Sequence, residues 1–135
     1  MSDDYLVTTD DGRADVDAIW EFLRTAYWCE GIDRDTVARS LEGSLNFHLL
    51  HDGAQVGLAR VITDHATFAY LADVYVDERH RRRGLGKRLI EAALSHETLT
   101  GLRSWLLLTA DAHGLYARFG FRPPARSERV MQRLG

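Results

Sequence analysis

The chain has 135 residues, 45% of them apolar, a formal net charge of −3 and a pI near 6.0. That length suits one domain with a real core and is short for two, and the charge disfavours a globally basic nucleic-acid or membrane binder, so any anion site must be a local patch. A lone Cys29 excludes an internal disulfide and a cysteine-rich zinc site, no run approaches the roughly 18 apolar residues of a membrane span, and the acidic start MSDDYLVTTDDG lacks the apolar stretch of a secretion signal. The expectation is a single domain over residues 1–135, in the cytoplasm and off the membrane, with Cys29 a small buried apolar residue.

In chain order, YLVTT is a weak first strand. ADVDAIWEFLRTAYW spaces Val16, Ile19, Trp20 and Leu23 at helical intervals, and DRDTVARSLEG is a second helix with an Asp cap and a terminal Gly. LNFHLLHDGAQVGLARVIT alternates like a hairpin around an Asp52-Gly53 turn, and TFAYLADVYV continues as a third strand of the same antiparallel meander. From Gly84 the period changes, with Leu85, Leu89, Ile90, Ala93 and Leu94 on one helical face running to about Ser95. SWLLLT is a short apolar strand, AHGLYARFGF a short helix closed by Gly120, and ERVMQRL a last strand. The order β, α, α, β, β, β, α, β, α, β makes an α/β (α+β) domain with a mostly antiparallel sheet. Its strand-helix-strand unit at residues 68–109 implies one parallel pair inside that sheet.

The densest chemical signal lies between the third meander strand and the following helix. Arg79, Arg81, Arg82, Arg83, Lys87 and Arg88 surround Gly84 and Gly86. A helix start leaves backbone N–H groups unpaired at the positive end of the helix dipole, and glycines remove the Cβ atoms that would hold a phosphate away from them. The dinucleotide fingerprint fails because Leu89 stands where its third glycine belongs, and the Walker A loop fails at Arg81 and at Arg88. A solvated arginine run beside a flexible helix start is the plain alternative.

What remains, Arg81-Arg82-Arg83-Gly84-Leu85-Gly86, resembles the Gln/Arg-x-x-Gly-x-Gly/Ala pyrophosphate loop of the GNAT superfamily of acyl-CoA-dependent N-acetyltransferases. The resemblance extends over LADVYVDERHRRRGLGKRLIEAAL and over ADAHGLYARFGF, which matches the family's Ala-x-x-Leu-Tyr-x-x-x-Gly-Phe segment at Ala112, Leu115, Tyr116, Gly120 and Phe121. It implies a mixed central sheet with a splayed parallel strand pair and helices on both faces. It also implies acetyl-CoA as co-substrate, no metal, and a small-molecule or peptide amine as acceptor, with a homodimer allowed and no nucleic-acid partner.

Carried onto this sequence, the resemblance puts the pantetheine arm along Leu71 to Val76, using the backbone at Val74, Tyr75 and Val76, with a bulge aiming one N–H at the thioester carbonyl. The N–H groups of the loop Arg81, Arg82, Arg83, Gly84, Leu85, Gly86 and Lys87 would hold the pyrophosphate, and Thr109 and Leu115 complete the CoA contacts. Thr109 stands where members often carry Asn. Tyr116 falls where the family places the acid that protonates the leaving thiolate; the competing reading is a core tyrosine. Where some members carry a glutamate base, this chain has Tyr70, and the nearest carboxylate is Asp73. On simple alternation Asp73 shares a face with Leu71 and Tyr75, and it acts as base or pairs with an arginine.

His48, His65, His80 and His113 read as surface residues. Among Trp20, Tyr27, Trp28, Phe47, Phe68 and Tyr70 most belong to the core and some to an amine pocket, and Glu30, Asp33 and Asp35 read as a solvated helix-start cluster. Readings from other classes are a non-catalytic acyl-CoA sensor on the same fold, which would need no acid at Tyr116, and a nucleic-acid contact through Arg79 to Arg83, which would depend steeply on salt.

Overall fold

A computed structural model describes residues 4–135; residues 1–3, part of the acidic start, lie outside the described residues. Five strands form one sheet in the order β1-β2-β3-β4-β5: β1 (Tyr5–Thr8), β2 (Leu45–His51), β3 (Ala54–Thr63), β4 (Phe68–Val76) and β5 (Ser104–Leu107). The first three pairings are antiparallel and β4 with β5 is parallel, which is the mixed sheet the sequence pattern predicts. Asp52 and Gly53 both take positive φ in the β2–β3 turn, as a two-residue hairpin turn demands.

Helices cover both faces. Helix α1 (Val16–Leu23) is capped by Asp15 and α2 (Arg34–Glu42) by Asp33, each through a side-chain oxygen that accepts a backbone N–H of the first turn. Their apolar stripes, Ile19 and Leu23 with Val37 and Leu41, bury against Leu58 and Tyr75. On the other face, Leu85, Leu89 and Ala93 of α3 (Leu85–Ser95) pack on Phe47, Leu49, Val61, Ala69 and Leu71. A last short helix, α4 (His113–Ala117), carries Tyr116 back toward that second core.

Three sequence expectations are corrected. ERVMQRL forms no strand: Ser127–Arg129 is a 3-10 turn and the chain after it is unpaired among the described residues, with Met131 93% exposed. Its strand-like composition finds no edge in this fold, and a strand without a partner leaves its backbone to water. His48 is not a surface residue. It is fully buried at the centre of β2, with Nε2 2.8 Å from Asp11 Oδ1 and Nδ1 3.1 Å from Gln55 Nε2, because β2 is covered on both faces and a polar ring there must be hydrogen-bonded. Cys29 is only half-buried; its thiol donates to Leu23 O, and burial, reinforced by Asp73, pushes its pKa up to about 11.

Candidate active site

The parallel pair is what makes a site. β4 and β5 are in register only from Phe68–Ser104 to Leu71–Leu107; beyond Leu71, β4 continues to Val76 along β3 alone. A V-shaped gap therefore opens between β4 from Ala72 onward and the chain leaving β5. Asp77 N–H donates to Val56 O at 2.7 Å, so by alternation along the strand the N–H groups of Val76 and Val74 turn toward the gap. Those are the unpaired strand-edge groups to which an extended amide chain can add.

A bulge sets the side chains of this arm. The β3–β4 register shifts between Leu58–Tyr75 and Arg60–Ala72, and Asp73 takes φ +50. Leu71, Val74 and Val76 consequently belong to the α3-side core, whereas Tyr75 belongs to the α1–α2 side, where its ring stacks on Phe22 at 3.9 Å. Simple alternation fails here: Asp73 does not share a face with Leu71. It turns toward the α1–α2 side, where Oδ2 accepts from Arg60 Nε at 2.7 Å and Oδ1 from Trp28 Nε1 at 2.8 Å. Arg60 is held in turn by Ser44 Oγ at 2.9 Å. The pair is largely buried, with side chains 15% and 11% exposed, so each charge depends on the other for compensation.

The gap opens into a cleft of about 460 Å³. Its walls are β4 from Tyr70 to Val74, Leu108 and Thr109 after β5, the α1–α2 connection at Tyr27 to Cys29, and Tyr116 from α4. Burial, with smaller contributions from Tyr27 and Asp111, raises the Tyr116 phenol above its usual range, so it stays protonated well past neutral pH. Its ring packs edge-on to Phe121 at 5.9 Å, and among the described residues its hydroxyl makes no hydrogen bond. Burial and then Asp73 likewise raise the pKa of Tyr70. Thr109 Oγ1 accepts from Ala112 N–H at 3.0 Å and so shapes the turn into α4. Leu115 lines neither this cleft nor the larger cavity of about 600 Å³ between β5, α4 and the C-terminal segment.

At the far end of β4 the basic loop starts α3. Among the described residues no backbone N–H from Arg82 through Lys87 is bonded within the chain, and the first helical bond runs from Arg88 N–H to Gly84 O. Gly84 sits at φ +72, a conformation that excludes most side chains, while a Cβ built on Gly86 meets nothing within 4 Å. The two glycines differ in conformation: Gly84 permits the turn at positive φ, whereas Gly86 lies in the first turn of α3, and at both positions a Cβ would meet only open space. The arginines are not equivalent either. Arg81 Nε donates to Val76 O at 2.9 Å, fastening the loop to the strand end, and Arg88 reaches Tyr5 O. His80 Nδ1 lies 2.7 Å from the Tyr5 hydroxyl, at the same strand end.

Among the candidate aromatics, Tyr27, Trp28 and Tyr70 line the cleft and Phe47 is core. Asp33 caps α2, in keeping with a helix-start cluster. Sequence reasoning did not single out Arg60, because nothing in its strand marks it until the bulge brings Asp73 to it. Among the described residues no group of three or more His, Cys, Asp or Glu side chains could hold a metal, and no helix is long and apolar enough to cross a membrane.

A splayed parallel pair, a bulged strand and an open glycine loop at a helix start are together the arrangement that the resemblance to GNAT acetyltransferases implies. Residues 43–123 match the acetyltransferase (GNAT) domain model, and the chain belongs to the GNAT acetyltransferase family. A Gibberella zeae protein described as a candidate acetyltransferase is 33% identical over an alignment 138 positions long, covering 85% of this chain and 77% of that protein. A crystal structure of a GNAT-family protein from Xanthomonas campestris superposes with a TM-score of 0.95 at 45% identity, covering 97% of this chain and 93% of that one. The fold is shared with a GNAT acetyltransferase from Elizabethkingia anophelis, solved with acetyl-CoA bound, at a TM-score of 0.69 and 12% identity over 91% of this chain and 79% of that one.

Proposed function

We propose that this protein is an N-acetyltransferase that moves the acetyl group of acetyl-CoA directly to a primary amine of a small molecule or peptide, both substrates being bound at once. The observation that carries this reading is that one strand, β4, joins the unbonded N–H groups at Arg82 to Lys87, which follow its end, to the cleft that its unpaired edge at Val74 shares with Tyr116. The loop N–H groups and the positive helix end receive the pyrophosphate. The pantetheine amides add to the β4 edge, and the Val74 N–H faces the thioester carbonyl, where negative charge develops as the amine attacks. The new N–C bond forms as the C–S bond breaks, Tyr116 gives its proton to the departing thiolate, and the amine proton leaves to Asp73, directly or through water. No metal takes part in this scheme, and the cytoplasm is the compartment it assumes.

The test has two stages. CoA and acetyl-CoA should each raise the melting temperature by several degrees, corresponding to about 2.7 kcal/mol at roughly a hundred times the dissociation constant, whereas ATP and NAD should do much less. Thiol release from acetyl-CoA should then appear with at least one member of a panel of amines. A melting temperature unmoved by CoA at saturating concentration would remove the reading.

The role given to Asp73 has its own check. Asp73→Asn keeps the size and one acceptor oxygen for Trp28 or Arg60 but cannot take a proton at neutral pH. Turnover should fall about a hundred-fold, and the defect should shrink as pH approaches the pKa of the acceptor amine, which then arrives already deprotonated. A loss of only a few-fold, independent of pH, would leave Asp73 as the partner of Arg60 and Trp28 and nothing more.

A further inference from the structure

Between Leu23 and Arg34 the chain runs from α1 to α2 without regular structure, and at its middle stand two adjacent aromatic residues that are not buried: Tyr27 is 58% and Trp28 43% exposed. Exposed aromatic area of that size has no stabilising role in a core. Both side chains line the cleft, and they reach opposite arms of the V. Trp28 Nε1 donates to Asp73 Oδ1 at 2.8 Å, on the bulge of β4; the Tyr27 hydroxyl accepts from Ala110 N–H at 3.2 Å, just past β5. The rings meet edge to face, 5.1 Å between centroids and 87° between planes, so a displacement of one is felt by the other.

The two ends are unequally fastened. Asp73 is also held by Arg60, and Phe22, stacked on Tyr75, lies 6.4 Å from the Trp28 ring, so the β4 end rests on a fixed base. The β5 end hangs on one longer hydrogen bond from an exposed amide. We propose that Tyr27 and Trp28 form a strap across the mouth of the V, positioning residues that set the separation of its arms and release at the Tyr27 end to admit the acceptor. That separation matters because the proposed oxyanion donor, Val74 N–H, stands on one arm and Tyr116 follows the other. The inference rests on the acetyl-transfer reading for its function, but the strap itself is observable without turnover.

The experiment compares the full chain with Trp28→Phe, Tyr27→Phe and the double variant. Hydrogen exchange of the Ala110 amide is read first, with no substrate present. Trp28 does not bond to Ala110, yet Trp28→Phe should speed its exchange up to about tenfold, the scale of one net hydrogen bond. Steady-state kinetics follow, with an amine that the unaltered protein acetylates. Each single variant should lose about tenfold in kcat/KM for that amine, the double variant should be no worse than either, since all three release the same constraint, and stabilisation by CoA should persist. Unchanged Ala110 exchange in Trp28→Phe, or losses that multiply in the double variant, would overturn the strap. Coupled exchange in a protein that acetylates no amine would instead retain the strap and remove the acetyl-transfer reading.

Discussion

Replacing Tyr116 by Phe should lower turnover about a hundred-fold or more near neutral pH, while CoA affinity and stability change little. The substitution removes one oxygen whose hydroxyl is bonded to nothing among the described residues, so no protein partner is left unpaired. The ring that packs against Phe121 and the α3-side core is retained. The effect should therefore lie in kcat, where an interaction made only as the thiolate departs must appear. Burial keeps the phenol protonated beyond its usual range, so the supply of the proton does not fail first as pH rises. The need for it does: a thiol with a pKa of about 8.5 leaves as a stable thiolate in mild base. The ratio of the two rates should thus shrink between neutral pH and about pH 9. Equal rates across that range, with product release shown not to limit either enzyme, would return Tyr116 to the role of a packed aromatic.

How far the sequence could be read depended on whether a feature is local. The period change at Gly84 predicts α3, and the Asp52-Gly53 dipeptide predicts the hairpin, because each is set by residues next to one another. The bulge at Asp73 is not local: it exists only in the register of β4 against β3. Once that register slips, Asp73 moves from the face of Leu71 to the side of Arg60 and Trp28, the latter 45 positions away in sequence. No spacing rule contains that contact. His48 left a signal that alternation hid. Asn46 and His48 alternate with Leu45, Phe47 and Leu49 as on a strand with one wet face, yet both are buried, and only the continuation into Leu50 hints at a strand covered on two faces. The C-terminal segment fails the other way: Arg129 to Leu134 has strand composition, but composition supplies no partner, and β5 pairs only with β4 among the described residues.

The loop glycines admit a sharper experiment than the arginines around them, because the structure separates what each glycine does. Gly86→Val should leave the free protein's circular dichroism and melting temperature nearly unchanged. The added Cβ meets nothing within 4 Å, the position lies in the first turn of α3, and Val is no worse a helix former than Gly. Its isopropyl group would nonetheless stand where a pyrophosphate must approach the N–H groups of the turn. Losing two charge-assisted hydrogen bonds should weaken CoA binding about a hundred-fold or more, read as loss of the CoA-induced rise in melting temperature. Gly84→Ala should behave differently. At φ +72 it strains the backbone by about 1 kcal/mol or more, so the free protein itself should melt earlier. Arg82→Ala, by contrast, should weaken CoA binding only modestly and make it less sensitive to salt, since a side chain acting through its field is screened and a backbone donor in contact is not. Undiminished stabilisation of Gly86→Val by CoA would mean that the diphosphate sits elsewhere and that the unbonded N–H groups from Arg82 to Lys87 serve no ligand.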